Sequence, residues 1–247
     1  MNTLWVEACC LWQCARFSLR HPRYFVIFVS IWGPSLLAWR KRRVVRVAFV
    51  TLQWIDDLLD GDRKSKREPL EIVDELLAGN SRHPLARLMA ALFADLDAET
   101  QSELIALVRE MRRDRVRMLA RETWSESELD EHHRKTFNLS VDLLLRVTGC
   151  RARAGEVGPL VDALAWCSVF RDLDEDQRKG LNNIPHEVEF EAWSRARHEQ
   201  AKIALRESAR AIASLEDPQA RRILGVFQKS IERFAAGLAI REIAARD

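Results

Sequence analysis

Apolar residues recur along this chain at intervals of three and four, the spacing of one helix face. The pattern predicts helices over roughly 3–19, 41–60, 68–78, 82–95 and 99–121. In the last of these Leu104, Leu107, Val108 and Met111 share a face. Ser125 or Ser127 caps a further helix that runs through Leu145 and stops at Gly149. Pro159 stands in the first turn of the next, where proline is tolerated. Two long helices, about 187–214 and 218–245, close the chain around Asp217-Pro218. His21-Pro22, Gly33-Pro34, Gly79-Asn80-Ser81 and His83-Pro84 are the breaks. No repeat, low-complexity tail or shift of composition divides the 247 residues. The economical expectation is one all-α domain over 1–247, a bundle of eight to ten helices.

Composition agrees. Only 9 Gly and 7 Pro are too few for a strand-and-turn protein, and 47% apolar residues suffice for a sizeable core. A net charge of +2 gives no global pull toward nucleic acid. Cys9, Cys10, Cys14, Cys150 and Cys167 form no CxxC pair and have no histidines at zinc spacing, so the reading is buried thiols in a reducing, cytoplasmic setting. Glu7 interrupts the first apolar run, and no cleavage site follows it. Tyr24 to Trp39 is almost wholly apolar, but it falls short of the roughly 18–20 residues of a membrane span and is broken by Gly33-Pro34. A buried helical hairpin is expected there. Peripheral membrane contact is the other use of this face, since Arg40-Lys41-Arg42-Arg43 follows and would meet anionic lipid.

Two acidic clusters change the picture. Trp54-Ile55-Asp56-Asp57-Leu58-Leu59-Asp60-Gly61-Asp62 closes one apolar helix, and Arg171-Asp172-Leu173-Asp174-Glu175-Asp176 closes another. Asp56 and Asp60 are four apart on one face, with Gln53, Leu52 and Phe49 below them. Asp172 and Asp176 repeat the spacing above Ser168, Val169, Ala165 and Val161, with Glu175 alongside. Carboxylates at i and i+4 repel one another, and Mg²⁺ held between such faces and substrate phosphates would offset that cost. Asp57, Asp62 and Asp174 read as solvated helix-end acids.

In this order the motifs resemble the squalene/phytoene synthase family, the head-to-head branch of the class I isoprenoid synthases. Ala48-Phe49 through Asp56-Asp57-Leu58-Leu59-Asp60 resembles its first aspartate motif. Phe170-Arg171-Asp172-Leu173-Asp174-Glu175-Asp176 through Gly180 and Ile184-Pro185 resembles its second. Met111 with Asp114, and Ser125 to Leu129, resemble the landmarks between them. The resemblance spans about 40–190. It implies an all-α isoprenoid synthase bundle around a central cavity, several Mg²⁺ ions and a prenyl diphosphate substrate. It carries metal contact and catalysis onto Asp56, Asp60, Asp172 and Asp176, with Glu175 as a further metal ligand, and diphosphate contact onto Arg171 and Lys135.

The chain also departs from that pattern. The middle-helix glycines are replaced by Asn138 and Val141, which narrows the cavity. The family's tyrosine, implicated in guiding cyclopropyl formation, is replaced by His132, and Gln53 stands in place of an arginine at the diphosphate. Cavity walls are expected from Phe49, Leu52, Phe137, Asn138, Val141, Ala165, Ser168 and Val169, with Phe49 and Phe137 the best placed to face a carbocation. The pair His132-His133 reads as partly exposed. These departures favour ionisation of a single prenyl diphosphate over head-to-head coupling of two, with a catalytically silent scaffold as a third reading.

Overall fold

The structure is a computed structural model that describes residues 3–20, 39 and 42–244. The apolar stretch from Tyr24 to Ala38, with its Gly33-Pro34 turn, and Arg40-Lys41 lie outside the described residues. Among the described residues the chain is all-helical: α1 (Thr3–Arg20), α2 (Arg43–Leu59), α3 (Pro69–Leu77), α4 (Pro84–Phe93), α5 (Ala98–Ala120), α6 (Glu126–Val147), a 3₁₀ turn (Ala154–Val157), α7 (Gly158–Lys179), α8 (Phe190–Ser214) and α9 (Pro218–Ala244). None of these helices is long and apolar enough to cross a membrane. Two compact units divide the chain: residues 1–115 with 146–149, and residues 116–145 with 150–247.

The first unit is built on α2, which packs against α1, α3 and α4. Helix α2 buries Val45, Val47, Val50, Trp54, Ile55, Leu58 and Leu59, so apolar side chains leave it in several directions. From α1 come Val6, Cys10 and Cys14, one residue per turn along a line. Burial pushes the Cys10 thiol up to about 12 and raises that of Cys14 as well, so these sulfurs act as small apolar groups. Cys9 is half-buried, unlike the other four cysteines. Pro69 and Pro84 open α3 and α4, where a missing N–H costs nothing. Arg46 is buried within this apolar unit. Its guanidinium donates to the Glu7 carboxylate at 3.2 Å and to the Trp39 carbonyl at 2.7 Å, and stacks on the Trp39 ring at 3.8 Å.

In the second unit α8 packs against α7 and α9, and α9 returns to α7. Leu160, Val161 and Ala163 of α7 meet Trp193, Ala201, Leu205 and Ile212 of α8, and Ala220, Leu224, Ile231 and Ala235 of α9. Ser125 starts α6 with a reciprocal cap: its hydroxyl accepts from the Glu128 N–H, and the Glu128 carboxylate accepts from the Ser125 N–H at 2.8 Å.

Asp217 caps α9. Its carboxylate accepts from the N–H groups of Arg151, Gln219 and Ala220 at 2.7, 2.9 and 3.1 Å. These bonds, the one from Arg151 first, hold its carboxyl below the ordinary 3.8. A depressed carboxyl stabilises the fold above its unfolded value, and the gain is lost as pH falls through the folded one. Asp217→Ala should therefore cost about 1–2 kcal/mol at neutral pH. In urea melts the gap between variant and parent should close as the pH falls below 3.8. A gap unchanged across that range would contradict the cap.

Candidate functional site

In the first unit Asp56 sits in the last turn of α2 and Asp60 caps its C-terminus. Asp56 is half-buried and Asp60 exposed, so both carboxylates can meet solvent or a ligand. Asp57 does not fit the solvated role expected for it. It is 6% exposed, accepts from the Gln53 amide at 3.1 Å, and lies 3.8 Å from the Arg16 guanidinium. Helix α2 is covered on several sides, so a residue one step from an exposed position can still face a neighbour, here α1. Gln53 thus supports Asp57. Leu52 is half-buried, and Phe49 packs edge-on against Phe17 at 5.1 Å.

Two arginines absent from the sequence reading join this corner. Arg63 stacks on the Trp54 indole at 3.8 Å and donates to the Gln13 side-chain Oε1 at 3.3 Å. Arg16 stands at the same cluster. Burial first, and the nearby Arg16 charge second, hold the Arg63 guanidinium below its usual pKa. The Asp57 carboxylate offsets part of this. Nothing in the sequence separates Arg16 from Arg20, the other arginine of α1; only the fold brings it to Asp57.

In the second unit Asp172 and Asp176 lie one turn apart near the end of α7, both half-buried. The guanidinium of Arg171 grips Asp172, its Nε donating to both carboxylate oxygens at 2.9 and 3.0 Å. Asp176 accepts from the Asn183 amide at 2.9 Å. Asn183 in turn accepts from the buried Arg117, which lies over the Trp124 ring at 4.3 Å. Glu175 pairs with Lys179 at 3.1 Å, and Asp174 is exposed, as expected. Gly180 ends the helix in the left-handed conformation, φ 94°: the Leu181 N–H reaches the Asp176 carbonyl at 2.8 Å and the Gly180 N–H the Gln177 carbonyl at 3.1 Å. The glycine thus turns the chain so that Asn183 returns to Asp176.

The remaining positions of this unit divide. Val141 and Val169 are buried in its core, and Phe137 packs against that core. Ser168 is half-buried. Ala165 borders a cavity of about 230 Å³ that Asp130, His133, Arg134, Asp162, Trp166 and Arg197 also line. Lys135, which is exposed, and Asn138 border an open depression of about 820 Å³ with Glu126, Asp130, Glu131 and Arg197. Both spaces are walled mainly by polar and charged side chains, not by the greasy surface expected of a prenyl pocket. Arg197 holds this wall, bonded to Glu126 at 2.5 Å, Asp130 at 2.9 Å and Gln200 at 3.0 Å, over the Trp166 ring at 3.8 Å.

His132 and His133 are buried, at 1% and 7% exposure, which corrects the partly exposed reading. They sit in an aromatic row, His132 against Trp124 at 5.2 Å and His133 against Trp166 at 6.0 Å. The signal was in the spacing: with Leu129 they fall at i, i+3 and i+4, the core face of α6.

Among the described residues no group of three or more His, Cys, Asp or Glu side chains is gathered to hold a metal. Mg²⁺ that binds through one or two carboxylates, waters and substrate phosphate needs no such cage. Asp56, Asp60, Asp172 and Asp176 offer hard oxygen donors at two helix ends, each at least partly open to solvent. No family profile, curated protein or solved structure matches this chain.

Proposed function

We propose that this chain is a Mg²⁺-dependent class I isoprenoid synthase that ionises an allylic prenyl diphosphate and cyclises or quenches the cation of a single chain. The observation that carries this reading is the placement of Asp56, Asp60 and Asp176 at helix C-termini, with Asp172 one turn before. A helix C-terminus carries partial negative charge, so anionic side chains there are disfavoured and cations are favoured. Helix α2 has no basic residue in its last turn to relieve this. Sequences bear such a cost where a cation is to be bound.

In this reading Asp56, Asp60, Asp172 and Asp176 would hold the ions, with Glu175 as a further ligand. Mg²⁺ bound there would supply positive charge to offset that of the diphosphate. The allylic C–O bond breaks with both electrons leaving on oxygen, and the carbon chain keeps the positive charge. Arg171, Arg16 and Arg63 contribute further positive charge toward phosphate oxygens, Arg16 and Arg63 in the place of the arginine that Gln53 replaces. Asn183 and Arg117 fix the Asp176 carboxylate. Single-chain chemistry is supported at α6, where Val141 is packed in the core and the Asn138 amide donates back to the Arg134 carbonyl at 2.8 Å, so neither position offers the space of a glycine.

The test is to incubate the purified chain with Mg²⁺ and, separately, geranyl, farnesyl and geranylgeranyl diphosphate, and to weigh the extracted products. A hydrocarbon or alcohol with one chain's carbons is expected. A product of doubled chain length would replace this reading with head-to-head coupling, and diphosphate left intact in every case would replace it with a non-catalytic role.

A further inference from the structure

The second unit holds a chamber of about 230 Å³ that the proposed reaction leaves unused. Three helices each give it one face. Asp130 and Arg134 are four apart on α6, Asp162 and Ala165 three apart on α7, and Arg197, Gln200 and Ala204 follow at i, i+3 and i+7 on α8. Ala165 and Ala204 have side chains too small to fill the space. Arg197 is a fixed wall, 7% exposed. Its guanidinium donates to Glu126 at 2.5 Å, to both Asp130 oxygens at 2.9 Å and to the Gln200 side-chain oxygen at 3.0 Å, over the Trp166 ring at 3.8 Å. Its Nε has no hydrogen-bond partner among the described residues, so the protein does not saturate it. Arg134 and Asp162 are a looser pair. They stand 3.6 Å apart, beyond hydrogen-bond length, with 64% and 47% of their side chains exposed. A group that entered between them would exchange one long contact for two short ones.

We propose that this chamber binds a free α-amino acid with an apolar side chain. Charge selects the ligand. The wall sets Asp130 and Asp162 against Arg134 and Arg197. A simple anion would meet the two carboxylates, and a simple cation the two guanidinium groups. A zwitterion turns both signs to use. Its ammonium takes Asp162, and its carboxylate takes Arg134 in charge-assisted hydrogen bonds. Gln200, with its oxygen held by Arg197, keeps amide N–H donors for the same carboxylate. Size agrees. At about 30 Å³ per water the chamber holds about eight waters, the room of a ligand with about that many non-hydrogen atoms. Buried Trp166 and Ala165, with half-buried Ala204, form an apolar part of the wall that suits an aliphatic side chain.

The proposal does not depend on the isoprenoid reading, and its test reads binding rather than turnover. The full chain is titrated by calorimetry with L-leucine, with 4-methylpentanoate, which lacks leucine's ammonium, and with 3-methylbutylamine, which lacks its carboxylate. L-Leucine is expected to bind and to raise the melting temperature. Each one-charge analogue should bind about tenfold or more weakly, having lost the hydrogen bonds of one charged group. Asp162→Asn keeps the size of the side chain and removes its charge. It should weaken L-leucine about tenfold while its melting curve matches the parent, since so exposed a pair adds little stability. Ala204→Leu fills the chamber and should abolish binding; if it does not fold, Asp162→Asn decides. Failure of L-leucine to bind, equal binding of either analogue, or parental affinity in Asp162→Asn or in folded Ala204→Leu would overturn the proposal.

Discussion

Replacing Asp172 or Asp176 with asparagine should slow diphosphate release by about 100- to 1,000-fold while leaving the fold as stable as before. The structure gives each carboxylate a protein partner, Arg171 for Asp172 and Asn183 for Asp176. That admits a dull alternative in which the four residues only tie off the end of α7. The two accounts differ in the sign of the stability effect. A structural tie should lose stability when its carboxylate is removed. Asp176 lies in the last turn of α7, where a carboxylate is disfavoured, so if it is kept for cation binding its removal should leave the melting temperature unchanged or raise it slightly. Asp174→Asn is the control: Asp174 belongs to the same run but is exposed, and its loss should change the rate less than about twofold. Melting curves and rates of these three variants decide between the accounts.

Arg46→Ala should be the most destabilising single change in the first unit, at about 3–5 kcal/mol in chemical denaturation. Its side chain has no exposure, while Glu7 keeps 15%. Removing the guanidinium leaves the Glu7 carboxylate without its 3.2 Å partner and the Trp39 carbonyl without its donor. It also strips the cation from the Trp39 face. The cost comes from leaving the Glu7 charge with the weaker Arg43 contact at 3.5 Å, and the Trp39 carbonyl without its donor, more than from losing an attraction. The double variant Glu7→Gln, Arg46→Met should therefore recover much of the loss. If the double variant were as unstable as the two single changes added together, the pair would not be acting as a pair.

The helices were legible because their periodicity and punctuation agree. Pro69, Pro84 and Pro218 open helices, Gly79, Gly149 and Gly180 close them with positive φ, and Ser125 makes its cap. Burial was less legible where a helix is covered on several sides. The run Asp56-Asp57 reads as a working acid beside a solvated one, yet Asp57 is the buried one of the two, with Gln53 and Arg16 against it. Which of two neighbouring carboxylates faces α1 depends on where α1 packs, and no local pattern in α2 carries that. His132-His133 is the opposite case: the core face was marked by Leu129, but the surrounding charges of α6 masked it. Arg63 and Asn183 were out of reach, because each acts through a loop that returns the chain to its own helix end, by the Arg63 N–H to the Asp57 carbonyl at 2.8 Å and by the Asn183 amide to Asp176. The polar lining around Arg197 was equally hidden, since Arg197 lies on α8 while Glu126 and Asp130 lie on α6.

Diphosphate release from farnesyl diphosphate by the purified chain, followed over time with Mg²⁺ present and with the ion chelated, tests the central claim most directly. The account predicts multiple turnovers with Mg²⁺ and a return to the uncatalysed rate on chelation, restored when the ion is added back. Release at the same rate in the chelated sample, or no release from any prenyl diphosphate with the ion present, would contradict it.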